Sequence, residues 1–261
     1  MPFSRAIVRP PAENFAAGLS SAVEGPPDVG RALRQHAAYV EALRDCGLDV
    51  TCLQPDEEYP DSTFVEDTAI VTERGAVLAR PGAPSRAGEV RSMARCLRNF
   101  FAQLPAIEPP GTVDGGDICE ADGKFLIGLS ARTNAEGARQ LAEHLAHWGY
   151  ASSTIDIRSH PSLLHLKSGI AYLGDGAWAV DRSIEAALRA ERGIDVRQLI
   201  VVPVAEAYAA NCVRVNEAVL IAAGYPQMSA ALAPTGRRVI ALEMSEFRKM
   251  DGGLSCLSLR F

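Results

Sequence analysis

A repeated strand–strand–helix–strand pattern constrains the fold of this 261-residue chain more than any other feature of its sequence. The intervals between equivalent positions in successive units are 53, 48, 46 and 45 residues. Five units of similar length predict radial repetition, because a closed ring buries the apolar faces of every unit and leaves no long sheet edge exposed. The equivalent positions, one at the start of the predicted first strand of each unit, are Phe64, Asp117, His165, Asn211 and Cys256.

The fifth unit begins at Cys256 and lacks most of its length before the sequence ends at Phe261. Its remaining elements are predicted at the other end of the chain, as a strand at 6–8, a helix at 31–46 and a strand at 50–53. We therefore expect a single α/β domain over residues 1–261, a ring of five ββαβ units whose fifth unit is completed by both chain termini.

The composition argues against nucleic-acid and membrane partners. The net charge is -6, whereas general binding of nucleic acids relies on basic surface. The most apolar stretch, 199–205, contains a proline and falls far short of the roughly 20 residues that a membrane helix needs. No apolar signal-peptide core follows the N-terminus, and none of the six cysteines forms a C-x-x-C motif. We expect a cytoplasmic protein with reduced thiols, whose acidic charge suits a cationic small molecule.

Polar residues recur where the first strand of each unit begins, and a ring brings these positions together at its axis. They are Glu66 and Asp67, Asp114 and Asp117, His165, Asn211 and Cys256. Carboxylates at such a place need a partner, because burying an unpaired charge is costly. A metal ion is the weaker choice of partner, since only one histidine lies at the axis. A guanidinium is planar and carries five N–H donors, so two carboxylates can bind its edges.

Two of these residues have the chemistry of a nucleophile and of a general acid/base. Cys256 follows a Gly252-Gly253 pair, which permits close backbone approach and unusual dihedral angles beside a site. A nearby cation would stabilise its thiolate for attack, whereas the alternative is a small buried apolar side chain. His165 lies between two leucines, where a histidine is either an acid/base or an ordinary core residue.

Six motifs carry a resemblance that covers nearly the whole chain. They are FVED at 64–67, GTVDGGD at 111–117, SARTN at 130–134, LHLK at 164–167, ANC at 210–212 and GLSC at 253–256. Together they make the chain similar to the dimethylarginine dimethylaminohydrolase family, within the guanidine-modifying pentein superfamily. The resemblance implies a five-bladed α/β propeller, in agreement with the five predicted units. It also implies hydrolysis of Nω-methylated L-arginine to L-citrulline and dimethylamine or methylamine.

The resemblance further implies a role for each matching residue. Cys256 would attack the guanidinium carbon and form a covalent S-alkylthiouronium intermediate, and His165 would act as general acid and then as general base. Asp67 and Asp114 would hold the guanidinium nitrogens; family members carry Asp or Glu at the position of Asp114. Arg86 and Arg132 would bind the α-carboxylate of the substrate. Asp61 and Glu66 would line the pocket, with Glu66 near the α-amino group. Leu19 would lie in a lid loop over the pocket.

The resemblance implies no cofactor and no metal, with a small-molecule substrate as the partner. A homodimer and the preference between mono- and dimethylated arginine stay open, since one methyl group contributes only about 1–3 kcal/mol to binding in a pocket. The alternatives are an arginine deiminase or an amidinotransferase, both usually longer, and a silent propeller used for interactions. A silent propeller would lack the set of cysteine, histidine and acids that this sequence contains.

Overall fold

Five small β-sheets surround a common axis in the computed structural model of the chain, which describes residues 2–261; Met1 lies outside the described residues. The strands are β1 (Arg5–Val8), β2 (Asp49–Cys52), β3 (Ala69–Thr72), β4 (Gly75–Leu78), β5 (Ile118–Ala121), β6 (Lys124–Leu129), β7 (Ala151–Asp156), β8 (Ile170–Gly174), β9 (Ala177–Asp181), β10 (Gln198–Val202), β11 (Val213–Val215), β12 (Ala218–Ala222), β13 (Arg238–Leu242) and β14 (Leu259–Arg260). The α-helices are α1 (Val29–Asp45), α2 (Val90–Leu97), α3 (Ala135–His147), α4 (Leu166–Gly169), α5 (Glu185–Ala190), α6 (Pro226–Leu232) and α7 (Ser245–Arg248). Among the described helices, none has the length and apolar character needed to cross a membrane.

Each sheet corresponds to one unit of the repeat. The orders are β3-β4, β5-β6-β7, β8-β9-β10, β11-β12-β13 and β14-β1-β2. In the three-stranded sheets the first pair is antiparallel and the second is parallel, so a helical crossover must separate the last two strands. The first unit is reduced, because its third strand survives only as a bridge between Leu78 and Ala106. The predicted ring of five ββαβ units is confirmed.

The fifth sheet joins the two ends of the described chain. β14 pairs antiparallel with β1, with Ala6 opposite Arg260 and Ile7 opposite Leu259. The carbonyl of Phe261 also accepts hydrogen bonds from the backbone N–H groups of Ser4 and Arg5, at 3.0 and 2.8 Å. This arrangement is the one that the incomplete fifth repeat requires.

The polar residues at the axis lie on short helical turns or directly beside them, and the prediction that they begin the first strands was wrong. Each first strand starts only after such a turn: β3 at Ala69, β5 at Ile118 and β8 at Ile170. A helical turn lets a backbone present several side chains toward one point, whereas successive strand residues alternate between two faces. We call these segments the axial turns; they are Val65–Thr68, Gly115–Asp117, Leu166–Gly169, Val204–Ala210 and Ser255–Leu257.

Two helix predictions also differ from the structure. The sequence pattern predicts one helix at 86–104, whereas the structure has a one-turn helix at Pro84–Arg86 followed by α2 (Val90–Leu97). The pattern Thr133-x-x-Glu136 predicts a helix that opens with a capping box, but the described helix is instead capped by Asn134. The Asn134 side chain accepts a hydrogen bond from the N–H of Gly137. Both asparagine and threonine are good N-caps, and the pattern placed the start one residue early.

Apolar side chains fill the spaces between neighbouring units and leave the axis to polar groups. One cluster combines Leu126 of the second unit with Ile170 and Trp178 of the third. Another combines Tyr39 of the fifth unit with Leu220 of the fourth. Burial between units provides the main driving force for closing the ring. The axial turns are therefore supported from outside, and their inward side chains are free for chemistry.

Asn216 links the fourth unit to the fifth through hydrogen bonds from a single side chain. Its Oδ1 accepts from the N–H of Phe3 at 2.7 Å, and its Nδ2 donates to the carbonyls of Phe3 and Cys46 at 3.0 and 2.9 Å. Its φ of 53° lies in the left-handed region, which asparagine tolerates better than most residues.

We predict that Asn216→Ala lowers the free energy of unfolding by about 2–4 kcal/mol, since it removes three hydrogen bonds and adds backbone strain. Urea unfolding followed by circular dichroism measures the change. Asn216→Gly is the matched control, because it loses the same bonds but relieves the strain. A change below about 0.5 kcal/mol in both variants would contradict the linking role.

Candidate active site

Three ionisable side chains from three different units meet at the axis. Asp67 lies on the first axial turn, Asp114 immediately precedes the second, and His165 immediately precedes the third. One nitrogen or oxygen atom of each side chain lies within 4.8 Å of the others. All three side chains are buried. The structure therefore brings together three of the predicted site residues that are far apart in sequence.

The Asp114 carboxylate connects His165 to the backbone of the first unit. Its Oδ2 lies 3.0 Å from Nε2 of His165, and its Oδ1 accepts a hydrogen bond of 2.7 Å from the N–H of Gly82. A Cβ atom at Gly82 would lie 2.2 Å from the carbonyl oxygen of Arg132, so the two loops can approach this closely only with glycine here. The Arg132 Nη1 atom lies 3.9 Å from Asp114 Oδ2. Arg132 thus reaches the same group.

Asp67 is held in place by a buried arginine. Its Oδ2 accepts a hydrogen bond of 2.6 Å from Nη1 of Arg86, and its Oδ1 accepts one of 2.8 Å from the N–H of Gly116. Burial opposes the ionisation of Asp67, but His165 and Arg86 outweigh burial and lower the pKa of Asp67 to about 2. Asp67 is therefore a carboxylate at neutral pH.

Glu89 binds the other edge of the Arg86 guanidinium. The Nε and Nη2 atoms of Arg86 donate to its two oxygens at 3.0 and 2.8 Å, in a bidentate pair. Burial raises the pKa of Glu89 to about 7, although Arg86 favours its charged form. The structure gives Arg86 contacts with Asp67 and Glu89, and its contact with a substrate carboxylate stays a prediction. Glu89 was missed because a single acid three residues after an arginine also occurs on ordinary helix surfaces.

Neighbouring carboxylates raise the pKa of His165. Burial alone would lower it, but Asp67, Asp117 and Asp114 together outweigh burial and raise the pKa to about 9. His165 is therefore a protonated imidazolium at neutral pH and can donate a proton. A Cβ atom at Gly116 would lie 2.7 Å from its Nδ1 atom, so the ring packs directly against the glycine backbone.

Cys256 lies on the fifth axial turn near the acids of the first. Its Sγ atom is 3.4 Å from the N–H of Gly253. Burial, reinforced by Glu66 and Asp67, raises the pKa of the Cys256 thiol to about 12. Lys167 acts in the opposite direction but is outweighed, so Cys256 is a neutral thiol at neutral pH.

The paired glycines before Cys256 permit close approach, as predicted, but not unusual dihedral angles. A Cβ atom at Gly252 would lie 2.2 Å from the Phe64 ring, and one at Gly253 would lie 2.4 Å from Asn211 Cγ. Neither glycine has a positive φ, which occurs instead at Asp251, with a value of 57°.

Glu66 does not join the group around His165. Its two oxygens bind Lys167 Nζ at 2.5 Å and Ser255 Oγ at 2.8 Å. Asn211 completes this cluster, since its Oδ1 accepts from the N–H of Ser255 and its Nδ2 donates to the carbonyl of Lys167, both at 3.0 Å. These contacts tie the residue before Cys256 to the segment that carries His165. The prediction that Glu66 lies near a substrate α-amino group stays a prediction.

Asp61 holds the loop that was predicted to form a lid. Both of its oxygens lie 3.1 Å from the N–H of Leu19, and burial raises the pKa of Asp61. The loop is further attached beside the fifth axial turn, because the Asp251 carboxylate accepts hydrogen bonds from Ser21 N–H and Oγ at 2.6 and 3.0 Å. Leu19 is 43% exposed in this arrangement. The loop thus bridges two units at the surface.

Two cavities flank the axial turns. A cleft of about 1180 Å³ is lined by the loop at 21–24 and by residues that neighbour the site in sequence, including Ala131, Leu164 and Gly253. A second cavity, of about 480 Å³, is lined by residues of the first strands of the units and by Glu66 and Lys167. The ion pair of Glu66 and Lys167 therefore lines that cavity.

The three residues Asp67, Asp114 and His165 are close enough for a metal ion among the described residues. Each of the four carboxylate oxygens, however, already binds Arg86, His165 or a glycine N–H. Carboxylate oxygens retain further lone pairs, which suit additional N–H donors. The arrangement therefore favours a planar organic cation.

Comparisons with known proteins agree with this chemistry. The family profile described as arginine deiminase matches residues 57–198. The N(G),N(G)-dimethylarginine dimethylaminohydrolase of Pseudomonas aeruginosa is 44% identical over 260 residues, which cover 99% of this chain and 100% of that protein.

The chain belongs to the dimethylarginine dimethylaminohydrolase family. A second member of that name, from Streptomyces coelicolor, is 34% identical over 264 residues, 100% of this chain and 98% of that one. A solved structure from P. aeruginosa, a Cys-to-Ser variant complexed with citrulline, superposes with a TM-score of 0.94 at 43% identity and 100% coverage of both chains. The five-bladed α/β propeller predicted for this member of the dimethylarginine dimethylaminohydrolase family is therefore confirmed.

We predict that Cys256 of this family member reacts slowly with iodoacetamide near neutral pH. Because the pKa of its thiol is raised to about 12, the rate constant should increase close to tenfold per pH unit between pH 7 and 8.5. Mass spectrometry of the Cys256 peptide measures the rate, with Cys256→Ser as the control for labelling of the exposed Cys52. A plateau near pH 7 would instead reveal a resting thiolate.

Proposed function

We propose that the chain hydrolyses asymmetric dimethylarginine and monomethylarginine to L-citrulline and dimethylamine or methylamine. The observation that carries the proposal is the group formed by Asp67, Asp114 and His165 at the axis, beside the turn that bears Cys256. Two buried carboxylates, a proton donor and a thiol are the groups that displacement of an amine from a guanidinium requires. The names of the relatives and the citrulline in the P. aeruginosa structure support the same reaction.

Binding of the cation prepares the nucleophile. The guanidinium N–H groups would occupy the lone pairs of Asp67 and Asp114 that Arg86, His165 and the glycine N–H groups leave free. The same positive charge would oppose the effect of Glu66 and Asp67 on the Cys256 thiol and favour its ionisation. His165 is already protonated, so the Cys256 thiol releases its proton to solvent as it ionises. Substrate binding and thiolate formation are thereby coupled.

The first chemical step replaces nitrogen by sulfur on the guanidinium carbon. Cys256 Sγ forms a bond to that carbon, and the bond to the methylated nitrogen breaks as His165 transfers a proton to the departing amine. The pKa of His165, raised to about 9, keeps this proton available at neutral pH. The product of the step is an S-alkylthiouronium on Cys256 and a free amine.

The second step reverses the roles of His165. The neutral imidazole accepts a proton from water as the water oxygen attacks the same carbon. The bond to Sγ of Cys256 then breaks, the hydroxyl proton of the intermediate passes to the departing sulfur, and citrulline leaves with Cys256 restored as a thiol. Asp114, whose Oδ2 lies 3.0 Å from His165 Nε2, would support the imidazolium in both steps.

The α-carboxylate of the substrate is assigned to Arg132. This guanidinium has a 3.9 Å ion pair with Asp114, and its side chain is 19% exposed. Arg132 therefore retains donors for a bidentate contact, a geometry that arginine suits. Arg86 would support the site through Asp67, and Asp61 with Leu19 would place the lid loop over the α-amino end. A cytoplasmic location and a homodimer remain predictions.

We predict that the purified chain releases citrulline and dimethylamine from asymmetric dimethylarginine with a higher kcat/KM than it shows for arginine. Product analysis by mass spectrometry tests this across both substrates and monomethylarginine. Cys256→Ser should reduce kcat at least 1000-fold, because the hydroxyl is a far weaker nucleophile at neutral pH. Retained turnover in Cys256→Ser would reject the nucleophile, and a preference for arginine with release of ammonia would identify a deiminase.

We predict that Arg132→Ala raises KM about 10- to 100-fold with a much smaller change in kcat, because a hydrogen bond to a charged group contributes about 1.5–3 kcal/mol. Steady-state kinetics with asymmetric dimethylarginine measures both constants. Arg139→Ala is the control, since Arg139 on α3 pairs only with surface acids of its own helix among the described contacts. An unchanged KM in Arg132→Ala would remove the carboxylate assignment.

A further inference from the structure

Asp117 is a fully buried carboxylate to which the proposed mechanism gives no role. It ends the second axial turn, three residues after Asp114, and its exposure is 0%. Burial raises its pKa, and His165 together with three hydrogen-bond donors partly offsets that effect. A carboxylate in such a place is destabilising unless its partners compensate, so the identity of those partners indicates what it does.

The partners of Asp117 come from the two segments that carry site residues. Its Oδ1 accepts a hydrogen bond of 2.9 Å from the N–H of Leu166, the residue after His165. Its Oδ2 accepts one of 2.7 Å from Ser130 Oγ, two residues before Arg132. One side chain therefore joins the acid/base segment to the carboxylate-binding loop.

The contact with Leu166 fixes the peptide that follows His165. That peptide begins α4, so its orientation sets the direction in which the His165 side chain leaves the backbone. A Cβ atom at Gly128 would lie 2.8 Å from Leu166 Cβ and 3.0 Å from Asp117 Oδ1. This packing leaves the carboxylate and α4 little room to shift.

The contact with Ser130 fixes the loop at 130–133. While its hydroxyl donates to Asp117, Ser130 Oγ accepts hydrogen bonds from the N–H groups of Arg132 and Thr133 at 2.9 and 3.1 Å. The Ser130 hydroxyl proton therefore points at Asp117, and the two accepted bonds hold the backbone of the loop. If a hydrogen-bond donor replaced the carboxylate oxygen, it would face a Ser130 Oγ atom that already accepts two hydrogen bonds.

We propose that Asp117 is a positioning residue, which sets the orientations of His165 and Arg132 together and adds a negative charge behind the imidazole. Its effect on substrate binding through Arg132 rests on the proposed function. Its effect on His165 is a property of the protein alone and can be measured without substrate.

The charge of Asp117 acts on His165 together with the groups on every element packed around it. Asp67 faces the imidazole from the first axial turn, and Asp114 faces it from the segment before the second. The guanidinium groups of Arg86 and Arg132 lie behind those two acids, and Lys167 on α4 is paired with Glu66. Loss of Asp117 removes one of three carboxylates that favour the imidazolium, so the imidazole should lose its proton at lower pH.

The test is Asp117→Asn, which keeps the shape and removes the charge. In an NMR titration of the substrate-free protein, with the His165 resonance assigned by its loss in His165→Gln, we expect the midpoint to fall by about 1–3 pH units. With asymmetric dimethylarginine, kcat/KM should fall about 10- to 100-fold, and the limb of its pH profile that follows His165 should move to lower pH. Circular dichroism and urea unfolding establish that the variant is folded.

Ser130→Ala is the matched variant, because it breaks the connection between Asp117 and the loop at 130–133 and keeps the bond from Leu166 to Asp117. It should raise KM and leave the His165 titration where it is. An unchanged His165 midpoint in folded Asp117→Asn overturns the proposal whatever the activity. If Asp117→Asn does not fold, an unchanged KM in Ser130→Ala overturns it. Absence of methylarginine turnover in the unsubstituted protein would reject the proposed function, while the NMR result would still decide the role of Asp117.

Discussion

Buried negative charge at the axis is the constraint on which the rest of this structure depends. Asp67, Asp114 and Asp117 lie where water is largely excluded, and each must be compensated by neighbours. Arg86 and His165 provide most of that compensation, together with backbone N–H groups of glycines that approach without a Cβ atom. The compensation leaves lone pairs unfilled. A cation can bind the free lone pairs of these acids and balance their charge. The proposed substrate is such a cation.

The placement of the apolar residues offsets the free-energy cost of burying polar groups at the axis. The hydrophobic clusters lie between neighbouring units, so each unit is held by its two neighbours. The axial turns are then fixed at their bases by strands and can carry polar side chains at their tips. The ion pair of Glu66 and Lys167 and the side chain of Asn211 connect turns of different units across the axis. Packing supplies the stability of the ring, and hydrogen bonds set the relative positions of the turns.

Sequence spacing was sufficient to predict the ring, because five repeats of nearly constant length have few other closed arrangements. It also placed Asp114 and His165 together at the axis, as the structure does, since acids and a lone histidine at repeat starts are conspicuous in otherwise apolar surroundings. It placed these residues on strands, because periodicity cannot resolve a single helical turn before a short strand. Sequence spacing did not predict a partner for Arg86. The contact with Glu89 depends on how α2 packs against the rest of the fold, and the residue pattern of a single helix carries no information about that packing.

The axial turns have a consequence for how a site of this kind changes over generations. Each turn reaches the centre from its own unit and is anchored by its own strand. A substitution that keeps the hydrogen bonds between turns therefore replaces one group of the site and leaves the strands of all five units in place. Selectivity among guanidinium compounds can thus be altered one unit at a time on an unchanged scaffold.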